Sequence, residues 1–384
     1  MRARLILFVA VIWLMLVAGV VNARFGLVRD ARLFDGAPPA KAHRLRLAEL
    51  WSGRYQAEVE RRLERWWGLR GFAIRTDNTV NLALFKETRP TATVVVGRDG
   101  WLFHAEDTSF LNRTDDCVAC DQLAARLGQV QRRLLASGRL VLPVLTAAKT
   151  TTERGQVPAR WRRFAGEPRS DRAITQRMLD ALARESVLFV DGRAIALERR
   201  SRTGQPVFPR EARHWGSSPA CEVFRAAIDQ AARTLGLPLG PADVPACDGS
   251  LPSRNSPHDL GHLLNIWGGA RNRADAAPPA RTPLRHDLRP VVVGSSFMWD
   301  FAYLLAQTSF GGDGRFYYYD DAVFDISAGD ITGKVDPTDP AWRDWTQSRN
   351  LYLVELYEAY LPSPAFGLFL DQLDAAFQSQ ALVP

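Results

Sequence analysis

Arg289-Pro290-Val291-Val292-Val293-Gly294-Ser295-Ser296-Phe297 decides how the rest of the chain reads. Three valines after a proline form a short apolar run suited to a strand buried on both faces of a sheet. The run stops at Gly-Ser-Ser and gives way to Phe297, Phe301, Leu304 and Leu305 at helical spacing. A serine at such a junction presents its hydroxyl at the carboxyl edge of the sheet, beside the positive end of a helix. Nucleophiles of acyl-transfer enzymes occupy this kind of position, provided that a histidine reaches them.

Working outward, the regular fold begins at Thr93-Val94-Val95-Val96, the turn Gly97-Arg98-Asp99-Gly100 and Trp101-Leu102-Phe103, which read as a hairpin because Asp-Gly supplies the positive φ of a tight turn. Helices are expected over 122–137, 173–184, 219–235, 297–308 and 366–377. Strands are expected over 140–145, 187–190, 290–293, 316–319 and 351–355. This alternation predicts an α/β fold, a mainly parallel sheet covered by helices on both faces. The Pro/Gly/Asn/Arg-rich stretch 238–289 reads as a lid or insertion. The expected organisation is a signal or anchor segment at 1–23, a helical connecting arm at 24–90 and one catalytic domain at 91–384.

Charged residues make up 24% and hydrophobic residues 46%, ordinary for a globular chain. The net charge of +7 is carried by arginine, with lysine only at Lys41, Lys86, Lys149 and Lys334. No basic run or aromatic–basic stripe speaks for nucleic acid. Arg2 and Arg4 precede the apolar run Leu5–Val21, an export signal in type. Val21-Asn22-Ala23 satisfies a signal-peptidase site, while the absence of a small-residue c-region favours an uncleaved inner-membrane anchor. Either outcome places the remainder outside the cytoplasm. Cys117, Cys120, Cys221 and Cys247 suit that compartment as structural disulfides 117–120 and 221–247. The acidic neighbours Asp115, Asp116 and Asp121 argue against a reactive thiolate in Cys117-Val118-Ala119-Cys120.

Acyl transfer needs a nucleophile, a base, a group to orient the base, and oxyanion donors. Ser296 is the expected nucleophile, and the backbone N–H groups of Ser296 and Phe297 are the expected donors. Among six histidines, His214 stands in a loop before a helix and is the expected base. His43 lies in the arm, His104 follows the hairpin and His286 lies in a polar loop. His258 and His262 mimic a one-face metal pair but lack the glutamate of a zinc-protease motif, so no metal is assigned.

Val94–Phe103, Pro143-Val144-Leu145-Thr146-Ala147-Ala148-Lys149, Val190-Asp191, Arg213-His214-Trp215, Val293–Phe297 and Leu353-Val354-Glu355-Leu356 together resemble one family. It is the SGNH-hydrolase-like periplasmic O-acetyltransferases that modify alginate and related exopolysaccharides, and the resemblance covers roughly residues 90 to 360. It implies a three-layer SGNH-hydrolase-like fold, with Ser296 as nucleophile and His214 as base in an order permuted from that of SGNH esterases. One departure stands out: the family aspartate two residues before the histidine falls at Ala212. Glu211 is the expected substitute, with Asp191 and Asp259 as the alternatives that could approach in space.

The expected function is an O-acetyltransferase that acetylates an exported polysaccharide through a serine acyl-enzyme. No acetyl-CoA motif is present and no cofactor is expected. The resemblance implies a multispanning membrane acyltransferase as acetyl donor. Trp215, Trp267 and Trp299 are candidate stacking faces for the sugar. A carbohydrate esterase would use the same residues with water as acceptor. Ala212 keeps a second alternative open, a non-catalytic polysaccharide-binding or assembly component.

Overall fold

The computed structural model describes residues 2–34, 47–88, 93–110, 117–161, 173–247, 255–269, 287–311, 313–319, 321–326, 331–361 and 364–378. The expected acidic residues Asp115 and Asp116, with His43 and His286, lie outside them. The chain forms two compact units, Met1–Val94 with Gly261–Asn272, and Val95–Leu260 with Arg273–Pro384. Part of the stretch expected as a lid, Gly261–Asn272, falls in the first of these units.

In the first unit the helix Arg2–Phe25 is, among the described residues, the one helix long and apolar enough to cross a membrane; this suits an anchor or a signal segment alike. Its last turns are tied to the chain that follows. Asn22 Nδ2 donates to the carbonyls of Val28 (2.8 Å) and Gly68 (2.7 Å), and Gly68 N–H donates to Gly19 O at 3.1 Å. Helices Arg54–Trp66 and Arg70–Phe85 complete the arm, and the Asp30 carboxylate accepts the N–H groups of Gly71 and Phe72 at the start of the second.

The expected hairpin follows as β1 (Val94–Val96) and β2 (Leu102–His104), all but Val94 in the second unit. Asp99 (φ 50°) and Gly100 (φ 75°) supply its left-handed turn. The main sheet contains β3 (Leu140–Thr146), β4 (Val190–Asp191), β5 (Pro290–Gly294), β6 (Arg315–Tyr318), β7 (Ala322–Asp325), β8 (Ile331–Lys334) and β9 (Leu351–Tyr357), in spatial order β4-β3-β9-β5-β6-β7-β8. The first five strands of that order run parallel, and β7 and β8 are antiparallel. Every residue of β3, β5 and β9 is buried, as expected of parallel strands covered on both faces.

The chain leaves β3 towards β4 on one side and leaves β5 towards β6 on the other, with β9 between them. Such a switch opens a crevice at the carboxyl ends of the strands, and this is where ligands bind in open α/β sheets. Thr146, Gly294 and Tyr357 end the three strands at that edge.

Some elements depart from the sequence reading. The expected strand 187–190 shortens to Val190–Asp191, and a helix not expected, Gly192–Thr203, follows with Asp191 Oδ1 capping Ala194 N–H at 2.9 Å. Strands β7 and β8 were not expected either, since both are short and β8 is exposed throughout.

Both expected disulfides are present, Cys117–Cys120 and Cys221–Cys247. Cys221 sits, fully buried, on the helix Ser217–Leu235, whose Val223, Phe224, Ala227, Ile228 and Ala231 line the core. The bond closes a 26-residue separation. Replacing both Cys221 and Cys247 by serine is expected to cost about 3 kcal/mol, read as a Tm lowered by several degrees. An unchanged melting curve would show that the bond adds nothing to stability.

Candidate active site

The site is built around Gly294. A β-carbon there would lie 2.5 Å from Met298 Cγ and 2.7 Å from both Cβ and Oε2 of Glu355, so only glycine lets β5 end against that carboxyl group. Glu355 is fully buried on β9, opposite Val144 of β3. Burial raises its pKa, while Thr146 Oγ1 donates to Oε1 at 2.7 Å and Ser295 N–H to Oε2 at 2.6 Å. The nucleophile turn is thus fixed from beneath by a side chain of the neighbouring strand.

The two adjacent serines take different tasks. Ser295 is buried; its Oγ accepts the Phe297 N–H at 3.3 Å and its carbonyl accepts the Met298 N–H at 3.0 Å, which tightens the turn leading into the helix Met298–Ala306. Ser296 Oγ instead lies 2.7 Å from His214 Nε2. Asn255 Nδ2 donates to the Ser296 carbonyl at 3.1 Å. Of the expected oxyanion donors, the Phe297 N–H is engaged by the 3.3 Å bond to Ser295, long enough to be given up easily.

His214 reaches Ser296 from the loop ahead of the helix Ser217–Leu235, its ring tilted against Phe297 with centroids 4.9 Å apart. Its Nδ1 is 2.5 Å from Asp259 Oδ2. The other oxygen, Asp259 Oδ1, accepts the N–H groups of Arg213 and Leu260, both at 2.7 Å. Two backbone donors therefore hold the carboxylate in one rotation, with its second oxygen on the imidazole. The expectation for Glu211 is corrected here. Its Oε2 meets His258 Nδ1 at 2.9 Å, both side chains about half exposed, while Asp259 occupies His214 Nδ1. From the sequence, Asp259 stands only beside Asp191 as an alternative to Glu211.

Beside His214, the partly buried Arg213 guanidinium donates to Asp107 Oδ1 (3.0 Å) and Tyr360 OH (2.8 Å). Asp107 and the neighbouring tyrosines keep Arg213 charged despite its burial. The same charge adds to burial in lowering the pKa of His104.

The tryptophan expectations change. Trp215 is 3% exposed, stacked on Phe301 and edge-on to Phe297. Trp299 is 6% exposed within a cluster of Tyr303, Phe316, Tyr318 and Phe324. Neither ring face is open to a sugar, because core packing covers both. Trp267 is half exposed in the N-terminal unit, where it packs on Phe72 and its Nε1 donates to Thr76 Oγ1 at 3.0 Å. No group of three His, Cys, Asp or Glu residues able to hold a metal ion occurs among the described residues.

Serine, histidine and carboxylate in hydrogen-bonded series are the parts of an acyl-transfer centre. Comparison with protein families matches residues 94–286 to the SGNH hydrolase-like domain of the acetyltransferase AlgX family, half the length of the chain. The chain belongs to this family. Its SGNH-like α/β fold and its kinship with acetyltransferases follow from that membership.

Similar solved structures include the O-acetyltransferase domain of Pseudomonas putida AlgJ, 17% identical with a TM-score of 0.44, covering 74% of this chain and 99% of that one. Pseudomonas aeruginosa AlgX is 12% identical with a TM-score of 0.41, covering 74% and 67%. Bacillus cereus PatB1 with a sulfonyl adduct is 11% identical with a TM-score of 0.43, covering 71% and 96%. They have diverged too far for residue roles to pass from them to this chain. Comparison with curated proteins gives no match.

Proposed function

We propose that this chain is a polysaccharide O-acetyltransferase working through an acetyl-serine at Ser296. The observation that carries the reading is the run Ser296 Oγ–His214 Nε2 (2.7 Å) and His214 Nδ1–Asp259 Oδ2 (2.5 Å) at the carboxyl edge of β5. Ser296 Oγ attacks the carbonyl carbon of an acetyl ester while its proton passes to His214 Nε2. The oxyanion that forms is held by N–H groups of the Ser296–Phe297 turn. Collapse expels the donor alkoxide, which takes the proton back from His214. A sugar hydroxyl then attacks the acetyl-serine, gives its proton to His214, and leaves as the acetyl ester while Ser296 recovers its hydrogen. Asp259 keeps the Nδ1 proton in place and stabilises the imidazolium in both halves.

Family membership supports an exported glycan as acceptor. The apolar helix Arg2–Phe25 supports a periplasmic location with an inner-membrane anchor. The donor in this reading is a membrane acyltransferase, since the family chemistry needs an acetyl group delivered outside the cytoplasm. Trp267, in the N-terminal unit, has the one ring of the three candidate tryptophans that is half exposed.

The test is to quench the full chain in detergent during turnover of an aryl acetate and to search its peptides for acetylated Ser296. Added oligosaccharide should speed deacetylation and appear acetylated. Acetyl-serine that decays only to acetate would make the protein an esterase. No acetyl-serine, together with no labelling by a serine-directed phosphonate, would leave the binding-component reading.

A further inference from the structure

Lys149 lies at the start of the short helix Lys149–Thr152, just beyond the carboxyl end of β3, and is 1% exposed. Its Nζ donates to the carbonyls of Pro209 (2.8 Å), Arg210 (2.9 Å) and Ala212 (2.6 Å). An ammonium has three N–H donors, and all three go to one four-residue stretch. The rings of Trp101 and Phe103, from the hairpin, close the site with centroids 5.1 Å and 5.4 Å from Nζ. The next two residues after that stretch are Arg213, whose N–H holds Asp259, and His214 itself.

We propose that Lys149 is the positioning residue of the acyl-transfer centre, gathering three carbonyls so that the loop aims His214 at Ser296; this rests on the acyl-transfer reading above. Three carbonyl dipoles converging in an apolar pocket repel one another unless a cation sits between them. Other ties on the loop are Val207 N–H to Glu153 Oε1 (3.2 Å), Leu102 N–H to Arg210 O (2.9 Å), Leu260 N–H to Glu211 O (3.0 Å), the Asp259 carboxylate on Arg213 N–H and His214 Nδ1, and the Arg213 guanidinium on Asp107 and Tyr360. Lys149 holds three backbone carbonyls of the loop through a single atom. Ala212, at the place of the family aspartate, enters the site through its carbonyl.

Protonation should gate this tether. Burial draws the Lys149 pKa down to about 7, against the attraction of Asp259, Glu153, Asp107 and Glu211. Arg200 pairs with Glu153, and Arg213 with Asp107. The neutral amine has two donors for three acceptors, so the loop loosens as pH rises through that value. Arginine keeps its charge over the whole range.

The experiment compares wild type, Lys149→Met and Lys149→Arg as full chains in detergent. It reads the rate at which a phosphonate labels Ser296 and hydrogen exchange over residues 207–216. The methionine variant should label about 100-fold more slowly, the size of effect expected from misplacing a catalytic group by about 1 Å. It should also exchange faster in 207–216, with β3, β5 and β9 still protected. The arginine variant should recover about tenfold of that loss and flatten the pH dependence between about pH 7 and 9. Labelling by Lys149→Met within about threefold of wild type, or unchanged exchange in the loop, would overturn the proposal. If that variant does not fold, the wild type decides. A labelling rate that falls about tenfold from pH 7 to 9, and does not fall in Lys149→Arg, supports the tether; a flat wild-type rate refutes its gating by protonation. A wild type that is never labelled sinks the acyl-transfer reading instead, and the exchange measurement still tests the tether.

Discussion

Ser296→Ala is expected to lower acetyl-ester turnover by roughly 10⁴-fold or more, with the fold intact. The reason is geometric. Ser296 Oγ is 2.7 Å from His214 Nε2, whereas the hydroxyl of Ser295 is buried and turned to the Phe297 N–H. Ser295 therefore cannot stand in, and Ser295→Ala should cost no more than about tenfold, the scale of one lost hydrogen bond rather than a lost nucleophile. His214→Ala should match Ser296→Ala, and the double variant should be no worse than either, because a base without its nucleophile contributes nothing. Steady-state hydrolysis of an aryl acetate measures all four variants. Turnover by Ser296→Ala within tenfold of wild type would remove the acetyl-serine from the mechanism.

The second large effect separates two carboxylates. Asp259→Asn should lower turnover by about 10⁴-fold, while Glu211→Gln stays within about threefold. Asparagine keeps the shape of aspartate, and its carbonyl oxygen still meets the Arg213 and Leu260 N–H groups, which in the wild type bond Oδ1 at 2.7 Å. That arrangement forces the amide NH₂ onto His214 Nδ1. The imidazole must then carry its proton on Nε2, where it can no longer accept one from Ser296. Glu211 has no such leverage, since its partner is His258. If Glu211→Gln proved the more damaging change, the carboxylate assignment would be reversed.

Parts of the site were readable along the chain. Val291-Val292-Val293 before Gly294 marked a buried strand, and Ser296 followed from its end. His214 followed from its loop setting. The Asp99-Gly100 turn was equally plain, because few residues accept positive φ. By contrast, the aromatic residues Trp215 and Trp299 look alike in sequence whether they face a ligand or the core, and neighbours distant along the chain bury both. The helix Gly192–Thr203 escaped notice because its apolar stripe is thin and its residues are mostly polar.

What the sequence determined by itself is local: the strand–turn–helix at Gly294, the hairpin, the alternation that makes a parallel α/β sheet, and the apolar helix near the N-terminus. Steric limits on φ and the period of apolar residues act over a few positions, so they are written in the order of the residues. Only the tertiary structure decided which carboxylate serves His214, why β5 must end in glycine, and what Lys149 holds. Asp259 is 45 residues from His214, Glu355 is 60 from Ser295, and Lys149 is 63 from Ala212. Contacts over such separations are set by strand register and loop path, which follow from packing the whole core rather than from any stretch within it.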